Sequence, residues 1–279
     1  MLVNLKEVLK YGEKHQCAIA GFNVFGYEDA MAVVKAAQSQ KTPVILMANR
    51  DAVAHMPVDI LAGILTKTAQ MAEIPVCVHL DHSLSIEKIK EGIEAGFTSV
   101  MLDASQKSYE ENLKMTKEVV KMAHPLGISV ESEIGSVGYS DPSIEAKTMY
   151  TDPEEAEKFA KETGVDALAI SIGNLHRMTT QTVRLQFDRL EEIKKRVDVP
   201  LVLHGSSGIP DDELVKAIQM GIRKVNIGTA LRMEFGNTLR KQMEEDKEIF
   251  DRIQLFKKCM EAVQKKAEEK IQFMGKHQN

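Results

Sequence analysis

Cysteine is scarce in this chain, and the three present are odd in number and widely spaced: Cys17, Cys77 and Cys259. Cys77 lies inside an apolar run, so we expect buried thiols rather than disulfides. No stretch of about 18 apolar residues occurs, and the first residues show no apolar leader of the secretory type. We therefore expect a cytoplasmic protein with no membrane partner.

An excess of basic charge is also missing, because the formal net charge is −5. This composition offers no basic surface for nucleic acid, so an anionic ligand would have to be held by local donors such as backbone N–H groups. No linker rich in proline, glycine or serine interrupts the 279 residues. With 43% hydrophobic and 28% charged residues, the chain is expected to form a single domain over residues 1–279.

Short β-branched runs alternate with amphipathic stretches, which is the pattern of a parallel sheet covered by helices. Eight such units are predicted. Their strands are Ala18–Val24, Pro43–Met47, Pro75–Leu80, Ser99–Asp103, Ser129–Ile134, Ala167–Ile172, Leu201–His204 and Lys224–Ile227. Helices between them are exemplified by Ile86–Ala95, Glu110–Met122, Glu154–Thr163 and Asp211–Met220.

Glycines end several of these helices where a left-handed cap residue is expected, namely Gly96, Gly127, Gly164 and Gly221. Eight units favour a closed (β/α)8 TIM barrel of the α/β class. The alternative, an open doubly wound sheet, usually has a glycine-rich phosphate turn after its first strand. The segment that follows the first strand here, residues 26–29, has no such turn.

Residues 233–279 are predicted to be helical, comprising the last barrel helix and one or two more. Apolar residues recur at three- and four-residue spacing: Phe250, Ile253, Phe256, Met260, Val263 and Ala267. An apolar helix face more often packs on the core of its own chain than forms an oligomer interface, so packing against the barrel is the preferred interpretation.

Polar residues lie at or just after the C-terminal ends of all eight predicted strands, although burying unpaired polar groups costs a few kcal/mol each. They are Asn23, Asn49, Asp81 with His82, Asp103 with Ser105, Glu133, Asn174 with His176, His204, and Asn226 with Thr229. In a barrel these ends share one mouth, where active sites lie. Their polarity therefore indicates a functional site there.

Three histidines, His82, His176 and His204, are assigned to the third, sixth and seventh strands and could converge. Three neutral imidazoles with one open position form a known catalytic zinc arrangement. Each histidine alone is as well explained as a hydrogen-bonded strand-end residue. Together they favour a metal site.

Two carboxylates in the same mouth, Asp81 and Glu133, are acid/base candidates. Beside a divalent cation each could be a ligand, an orienting group or a proton shuttle, and the sequence leaves these roles open. His79 lies two residues before Asp81, hence on the same strand face, and either orients that carboxylate or packs in the core.

Two loops have the composition of a phosphate site. (β/α)8 enzymes often bind phosphate with the loops after strands seven and eight. Those loops contain Gly205, Ser206 and Ser207, and Asn226, Gly228 and Thr229. Small residues let backbone N–H groups approach an anion, and hydroxyls add donors.

Six motifs in order along the chain resemble the class II fructose-bisphosphate and tagatose-bisphosphate aldolases. They are Ala20-Gly21-Phe22-Asn23-Val24, His79-Leu80-Asp81-His82, residues 99–105 (SVMLDAS), Val130-Glu131-Ser132-Glu133-Ile134-Gly135, residues 203–210 (LHGSSGIP) and residues 224–229 (KVNIGT). The resemblance covers nearly the whole chain.

This resemblance implies a metal-dependent lyase that cleaves a ketose phosphate reversibly to dihydroxyacetone phosphate and an aldehyde. His82, His176 and His204 would hold zinc, with Glu133 as an alternative ligand, and Asp81 would exchange a proton with the aldehyde-derived hydroxyl. Zinc would polarise the ketone and stabilise the enediolate. A monovalent cation is a further candidate cofactor. The protein is expected to be a homodimer or homotetramer. Its expected role is in carbohydrate metabolism, such as glycolysis.

Three departures from the family pattern concern the substrate. Arg177 follows the second zinc histidine where relatives usually have glycine, and it either adds a charged donor or occludes part of the site. The loop after strand five keeps only Asp141 as the acid that could take a proton from dihydroxyacetone phosphate. On the second strand Asn49, followed by Arg50, replaces a serine common in relatives. The aldehyde half of the substrate is therefore left open.

Three other functions compete with this one. A Schiff-base aldolase would need a lysine at a strand end, and Lys224 instead opens the eighth strand. A barrel metallohydrolase could use the same histidines and aspartate to activate water, although the phosphate loops favour an aldolase. A degenerate, non-catalytic barrel is conceivable because of Arg177.

Overall fold

The computed structural model describes residues 1–139 and 148–275. Its strands are β1 (Leu2–Val3), β2 (Ile19–Asn23), β3 (Val44–Ala48), β4 (Val76–Ser83), β5 (Ser99–Leu102), β6 (Ser129–Ile134), β7 (Gly138–Tyr139), β8 (Ala167–Ile170), β9 (Leu175–His176), β10 (Leu201–Leu203) and β11 (Ile222–Ile227). Its helices are α1 (Leu5–His15), α2 (Tyr27–Ser39), α3 (Arg50–His55), α4 (Val58–Met71), α5 (Ile86–Ala95), α6 (Tyr109–Ala123), α7 (Pro153–Thr163), α8 (Phe187–Arg196), α9 (Asp211–Gln219), α10 (Thr229–Glu245) and α11 (Arg252–Gly275).

Eight parallel strands close into a ring in the order β2, β3, β4, β5, β6, β8, β10, β11. The closing pairs are β11 with β2 and β4 with β5. The fold is therefore the predicted (β/α)8 barrel with extra C-terminal helices. An open doubly wound sheet is excluded by the ring closure.

The strands are buried on both faces because each lies between the barrel interior and the surrounding helices. Helix α1 lies below the barrel, and Leu5 and Leu9 pack there with Ile45, Cys77 and Val202 in one buried cluster. This apolar floor closes the N-terminal end of the barrel. The interior is thus accessible from the opposite end, where the strands terminate.

Most predicted strands were placed correctly, with differences at their ends. The predicted strand Ala167–Ile172 ends earlier, at Ile170, and Leu201–His204 ends at Leu203. Strand β4 runs on to Ser83, past the predicted end at Leu80. Three short strands were not predicted: β1, which pairs with β4, and β7 and β9, which pair with each other.

The glycines expected to end helices do so in left-handed backbone: φ is 102° at Gly96, 71° at Gly127, 71° at Gly164 and 116° at Gly221. A residue with a Cβ adopts this conformation at a cost, which explains the use of glycine. The chain can therefore turn sharply from each helix into the next strand.

Up to residue 275 the C-terminal region contains two helices, as predicted: α10, the last barrel helix, and α11, separated by residues 246–251. Helix α11 packs on α2 and α10 and buries Cys259, Val263 and Ala267, which confirms the barrel-cover interpretation. Phe250 and Ile253 do not belong to that buried face, since they are 93% and 79% exposed. The periodicity was misleading at those two positions.

All three cysteines are buried and free, as expected. Within residues 1–139 and 148–275, no helix is both long enough and apolar enough to cross a membrane.

Candidate functional site

Polar side chains fill the upper half of the barrel interior, above the apolar floor. Strand β4 shows how alternation builds these layers, since Cys77, His79 and Asp81 point inward at successive levels. Glu131 and Glu133 do the same on β6, and so do Lys224 and Asn226 on β11. Each of these polar side chains is buried.

Four potential ligand side chains converge at the barrel mouth. One ligand atom from each of His82, Glu133, His176 and His204 lies within 4.8 Å of the others. The ring of His82 is centred 4.6 Å from that of His204 and 5.0 Å from that of His176. The structure thus brings together the three predicted histidines and Glu133.

A backbone irregularity explains how consecutive residues Asp81 and His82 both reach the mouth. In a regular strand they would face opposite sides of the sheet. Here the β4–β5 register shifts between Leu80 and Ser83, and His82 has a left-handed φ of 54°. This bulge-like turn directs both side chains into the cavity.

His176 was assigned to the sixth barrel strand, and this was wrong. It lies on β9, beyond the end of β8, where Leu175 pairs with Gly138 and His176 with Tyr139. The loop after β8 returns across the barrel mouth because Asn174 donates a hydrogen bond to the carbonyl of His204 at 3.0 Å. Proximity to the other histidines was nevertheless predicted correctly.

Carboxylates hold two of the rings by the nitrogen that faces away from the cluster. Nδ1 of His82 lies 2.7 Å from Oδ2 of Asp103, and Nε2 of His204 lies 3.0 Å from Oε1 of Glu131. Such partners fix the tautomer and ring orientation of metal-binding histidines. They leave Nε2 of His82 and Nδ1 of His204 turned toward the cluster.

The arrangement fits a divalent metal ion. Nε2 of His82 is buried and has no hydrogen-bond partner within the described residues. Nδ1 of His204 and Oε2 of Glu133 are also buried and face each other at 3.2 Å. A buried polar atom without a partner is costly, and a cation among these atoms would bind all three at once. Mixed imidazole and carboxylate donors suit zinc.

The electrostatics of the cluster also favour a cation. Burial alone would lower the pKa of His82, but Asp81 and Asp103 outweigh burial and raise that pKa to about 9. Burial would also lower the pKa of His204, but its hydrogen bonds with Glu131 and Glu133 together outweigh burial and raise that pKa. A divalent cation drawn by the same negative potential would displace these protons.

Asp81 is fixed by two amides. Asn23 donates a hydrogen bond to its Oδ2 at 3.0 Å, and Asn226 donates one to its Oδ1 at 3.2 Å. Burial would raise the pKa of Asp81, but the positive charges of His82 and Lys224 lower it to about 2. Asp81 is therefore ionised at neutral pH and held in one orientation.

His79 does not take the orienting role that the sequence left open for it. Its Nε2 lies 4.0 Å from Oδ1 of Asp81, beyond hydrogen-bond distance, while its Nδ1 lies 2.8 Å from the Ser99 hydroxyl. Burial and the nearby charge of Lys224 lower the pKa of His79 to about 4, so its ring is neutral at pH 7.

A cavity of about 500 Å³ opens above the cluster. It is lined by most of the residues predicted to bind substrate or metal: Asn23, Asn49, Asp81, His82, His176, Arg177, Gly205, Ser206, Ser207, Asn226, Gly228 and Thr229. The side-chain oxygen of Asn49 also caps α3 by accepting from the Ala52 N–H. Asp141 lies outside the described residues.

The two loops expected to bind phosphate adjoin each other. The Ser206 hydroxyl donates to the carbonyl of Asn226 at 2.6 Å, which ties the loop after β10 to the loop after β11. Helix α10 begins at Thr229, so its N-terminal N–H groups face the same cavity wall, where an anion is favoured.

The roles of three residues in the site were missed, although the spacing of two of them could have revealed those two. Glu131 and Lys224 lie two residues before Glu133 and Asn226 and therefore on the same inward faces. Nζ of Lys224 is 2.8 Å from Oε2 of Glu131, so Lys224 supports the site from below rather than forming a Schiff base at the mouth. Asp103 was noted only as a strand-end residue.

Gly205 is required by the backbone of this site. Its φ is 65°, and a Cβ there would overlap the carbonyl group of Leu175, the residue before His176. We expect Gly205→Ala to lower the free energy of unfolding by about 1–3 kcal/mol through backbone strain. The measurement is urea unfolding, and displacement of His176 should also weaken metal binding.

A matched glycine provides the control for that variant. Gly63 lies in α4, and a Cβ there meets nothing within 4 Å, so Gly63→Ala should stabilise the protein by about 0.5–1 kcal/mol. Equal stability of Gly205→Ala and the unmodified protein would contradict the assigned strain.

A barrel with these residues at its mouth is the architecture of a (β/α)8 enzyme, and comparison with known proteins identifies the family. The family model described as fructose-bisphosphate aldolase class-II matches residues 3–279. The chain belongs to this family and is therefore an aldolase, a carbon–carbon lyase.

Individual relatives match along nearly their whole length. A fructose-bisphosphate aldolase of Staphylococcus aureus is 37% identical over 280 residues, covering 98% of this chain and 97% of the relative. A 6-phospho-5-dehydro-2-deoxy-D-gluconate aldolase of Shouchella clausii is 38% identical, covering 98% and 94%. The crystal structure of the YdjI aldolase from Escherichia coli K12 superposes with a TM-score of 0.84 at 35% identity, covering 99% and 98%.

Proposed function

We propose that this protein is a zinc-dependent aldolase that cleaves a phosphorylated ketose reversibly to dihydroxyacetone phosphate and an aldehyde. The observation that carries the proposal is the convergence of one potential ligand atom from each of His82, Glu133, His176 and His204, all within 4.8 Å of one another. They lie beside an oriented carboxylate, Asp81, and under one cavity.

In this proposal His82, His176 and His204 hold the ion, and Glu133 is an alternative ligand. When bound, zinc supplies Lewis acidity at the substrate ketone. Asp103 and Glu131 hold the rings of His82 and His204 in the required tautomers.

Asp81 exchanges the proton of the hydroxyl that becomes the aldehyde oxygen. It is ionised at pH 7 and only 3% exposed, so it accepts a proton from bound substrate with little competition from water. The amides of Asn23 and Asn226 occupy both of its oxygens and hold its plane. In the condensation direction Asp81 returns the proton.

The loops after β10 and β11 bind the phosphate of the dihydroxyacetone phosphate half. Gly205, Ser206 and Ser207 contribute one side, and Asn226, Gly228 and Thr229 the other. Asp141 remains the proposed carboxylate that takes the proton from dihydroxyacetone phosphate. A monovalent cation remains a proposed second ion.

The relatives share one end of their substrates and differ at the other. Fructose bisphosphate has a second phosphate at the end remote from the ketone, whereas 6-phospho-5-dehydro-2-deoxygluconate has a carboxylate there. Both contain a phosphorylated ketone end that yields dihydroxyacetone phosphate on cleavage. We therefore assign that half to this protein's substrate.

The test is release of dihydroxyacetone phosphate from phosphorylated ketoses, followed with a coupled reductase. We expect release that falls more than about 10-fold on treatment with a chelator and returns with zinc, because metal ions contribute several kcal/mol to charge stabilisation. Persistent cleavage after metal removal would contradict the zinc assignment. Hydrolysis of esters or amides instead would support the metallohydrolase.

We also propose that residues 1–279 act as one catalytic domain in the cytoplasm, within carbohydrate metabolism, as a homodimer or homotetramer. The family match along the chain supports the single domain. Light scattering of the purified protein measures the assembly, and a monomeric mass would contradict that part.

A further inference from the structure

Helix α6 packs on the barrel wall with a face that is half polar. Its buried residues are Asn112, Thr116, Val119 and Ala123, at the three- and four-residue spacing of a core-facing stripe. Asn112 is 4% exposed and Thr116 is fully buried. Both residue types are weak helix formers, and apolar side chains would cover a strand without burying polar groups. Packing alone therefore does not explain the polar half of this stripe.

Asn112 and Thr116 connect the helix to the ends of strands β5 and β6. Nδ2 of Asn112 donates a hydrogen bond to the main-chain carbonyl of Glu133 at 2.9 Å. The Thr116 hydroxyl lies 3.2 Å from Oδ1 of Asn112 and 3.1 Å from the hydroxyl of Ser132. The Ser132 hydroxyl donates to the carbonyl of Leu102 at 3.1 Å. We call the three side chains of Asn112, Thr116 and Ser132 the α6 network.

The α6 network acts where the pairing of β5 with β6 ends. Carbonyl groups alternate in direction along a strand. That of Val130 accepts from the N–H of Asp166, next to β8, at 2.8 Å, so that of Glu133, three residues later, points toward β5. Strand β5 has already ended at Leu102, which pairs with the residue before Glu133. Asn112 therefore takes the place of a strand partner for this carbonyl.

The residue held in this way carries a proposed metal ligand. Oε1 of Glu133 accepts a hydrogen bond from the Val137 N–H at 2.9 Å, and Oε2 lies 3.2 Å from Nδ1 of His204. Asn112 holds the main chain of Glu133, and Val137 holds its carboxylate. The position of Oε2 in the cluster thus depends on both hydrogen bonds.

The other end of the α6 network reaches the partner of a second proposed ligand. Ser132 holds the carbonyl of Leu102, and Leu102 directly precedes Asp103. The carboxylate of Asp103 lies 2.7 Å from Nδ1 of His82 and so orients that ring. A single buried network outside the barrel therefore anchors the main chain beside two carboxylates of the site.

We propose that Asn112 and Thr116 are positioning residues of the metal site, which act through the main chain of Glu133 and Leu102. The inference rests on the proposed function, because Glu133 is assigned as a ligand there. Among the described residues that line the cavity, neither Asn112 nor Thr116 is included. They influence the metal without touching it or the substrate.

The experiment measures the zinc affinity of the metal-free protein by competition with a chromophoric chelator. Asn112→Leu removes the amide at similar volume, and we expect zinc affinity to fall by about 10-fold or more, as for other groups that hold metal ligands. The kcat for release of dihydroxyacetone phosphate should also fall, while KM stays unchanged because the cavity wall is intact. Thr116→Val, nearly the same in shape, should cause a smaller loss of zinc affinity.

A matched amide separates positioning from stability. Gln242 is 5% exposed, and its Nε2 donates to the carbonyl of Leu255 at 3.0 Å. Gln242→Leu removes an equivalent buried hydrogen bond between an amide and a carbonyl, in α10 and away from the cluster. It should lower the resistance to urea as Asn112→Leu does, but it should leave zinc affinity unchanged.

Two results would overturn the inference: unaltered zinc affinity in Asn112→Leu and Thr116→Val, or an equal loss of affinity in Gln242→Leu, which would attribute the loss to stability alone. If Asn112→Leu does not fold, Thr116→Val decides. An unmodified protein that binds no zinc, or that releases no dihydroxyacetone phosphate, would instead refute the proposed function. Because zinc affinity is measured without turnover, the two failures are distinguishable.

Discussion

Replacement of Asp81 by asparagine is expected to lower kcat for release of dihydroxyacetone phosphate by about 100-fold to 10,000-fold, the range for removal of a positioned acid or base. Asparagine has nearly the same shape, but its amide cannot accept the proton of the substrate hydroxyl. Asp81 is buried and oriented by Asn23 and Asn226, so we expect no water or neighbouring side chain to replace it.

Metal content decides how that loss is interpreted. If Asp81 exchanges protons, the variant should retain the metal of the unmodified protein, measured by elemental analysis. Loss of metal would reassign Asp81 as a ligand. Asp29→Asn is the matched control, because Asp29 is a half-buried carboxylate outside the cavity, and its pKa is raised to about 6 by burial. Its removal should leave kcat unchanged.

Replacement of Lys224 by methionine is expected to lower the free energy of unfolding by about 3–5 kcal/mol. This is the usual cost of removing one partner of a buried ion pair, because the other charge remains buried and unpaired. Lys224 and Glu131 are both fully buried. Burial would raise the pKa of Glu131, but Lys224 and the hydrogen bond from His204 hold it well below its usual range. Without Lys224, the buried negative charge of Glu131 loses the positive charge that chiefly stabilises it.

Urea unfolding of two further variants tests this explanation. Lys224→Met combined with Glu131→Gln should be less destabilised than Lys224→Met alone, because no unpaired charge remains buried. Lys161 forms an exposed ion pair with Glu157 at 2.6 Å, so Lys161→Met should change stability by less than about 0.5 kcal/mol. A similarly small effect of Lys224→Met would contradict the assigned role.

The barrel was predictable because its pattern is local and repeated. Each strand is a short apolar run, each helix is amphipathic, and glycine separates them at defined places. The convergence of His82, His176 and His204 followed from one geometric rule, that the ends of parallel barrel strands share a mouth. None of these inferences required knowledge of side-chain contacts.

The features that were missed depend on contacts between distant segments. Strand β9 consists of two residues that pair with β7, which is too short for a periodic signal. The ion pair between Lys224 and Glu131 joins β11 to β6. Both residues lie below the strand ends, so the rule that strand ends share a mouth does not identify them. Asp51 and Arg177 meet only because the mouth is closed into a ring.

The irregularity in β4 has a further consequence for how the chemistry is coordinated. A proposed metal ligand, His82, and the proposed proton-exchanging group, Asp81, are joined by one planar peptide unit. The distance between their Cα atoms is therefore fixed by covalent geometry, and the hydrogen bonds from Asn23 and Asn226 to Asp81, and between His82 and Asp103, hold the two side chains. Thermal motion of this segment moves both groups together, so a substrate bound at the cluster keeps its alignment with Asp81 as the barrel fluctuates.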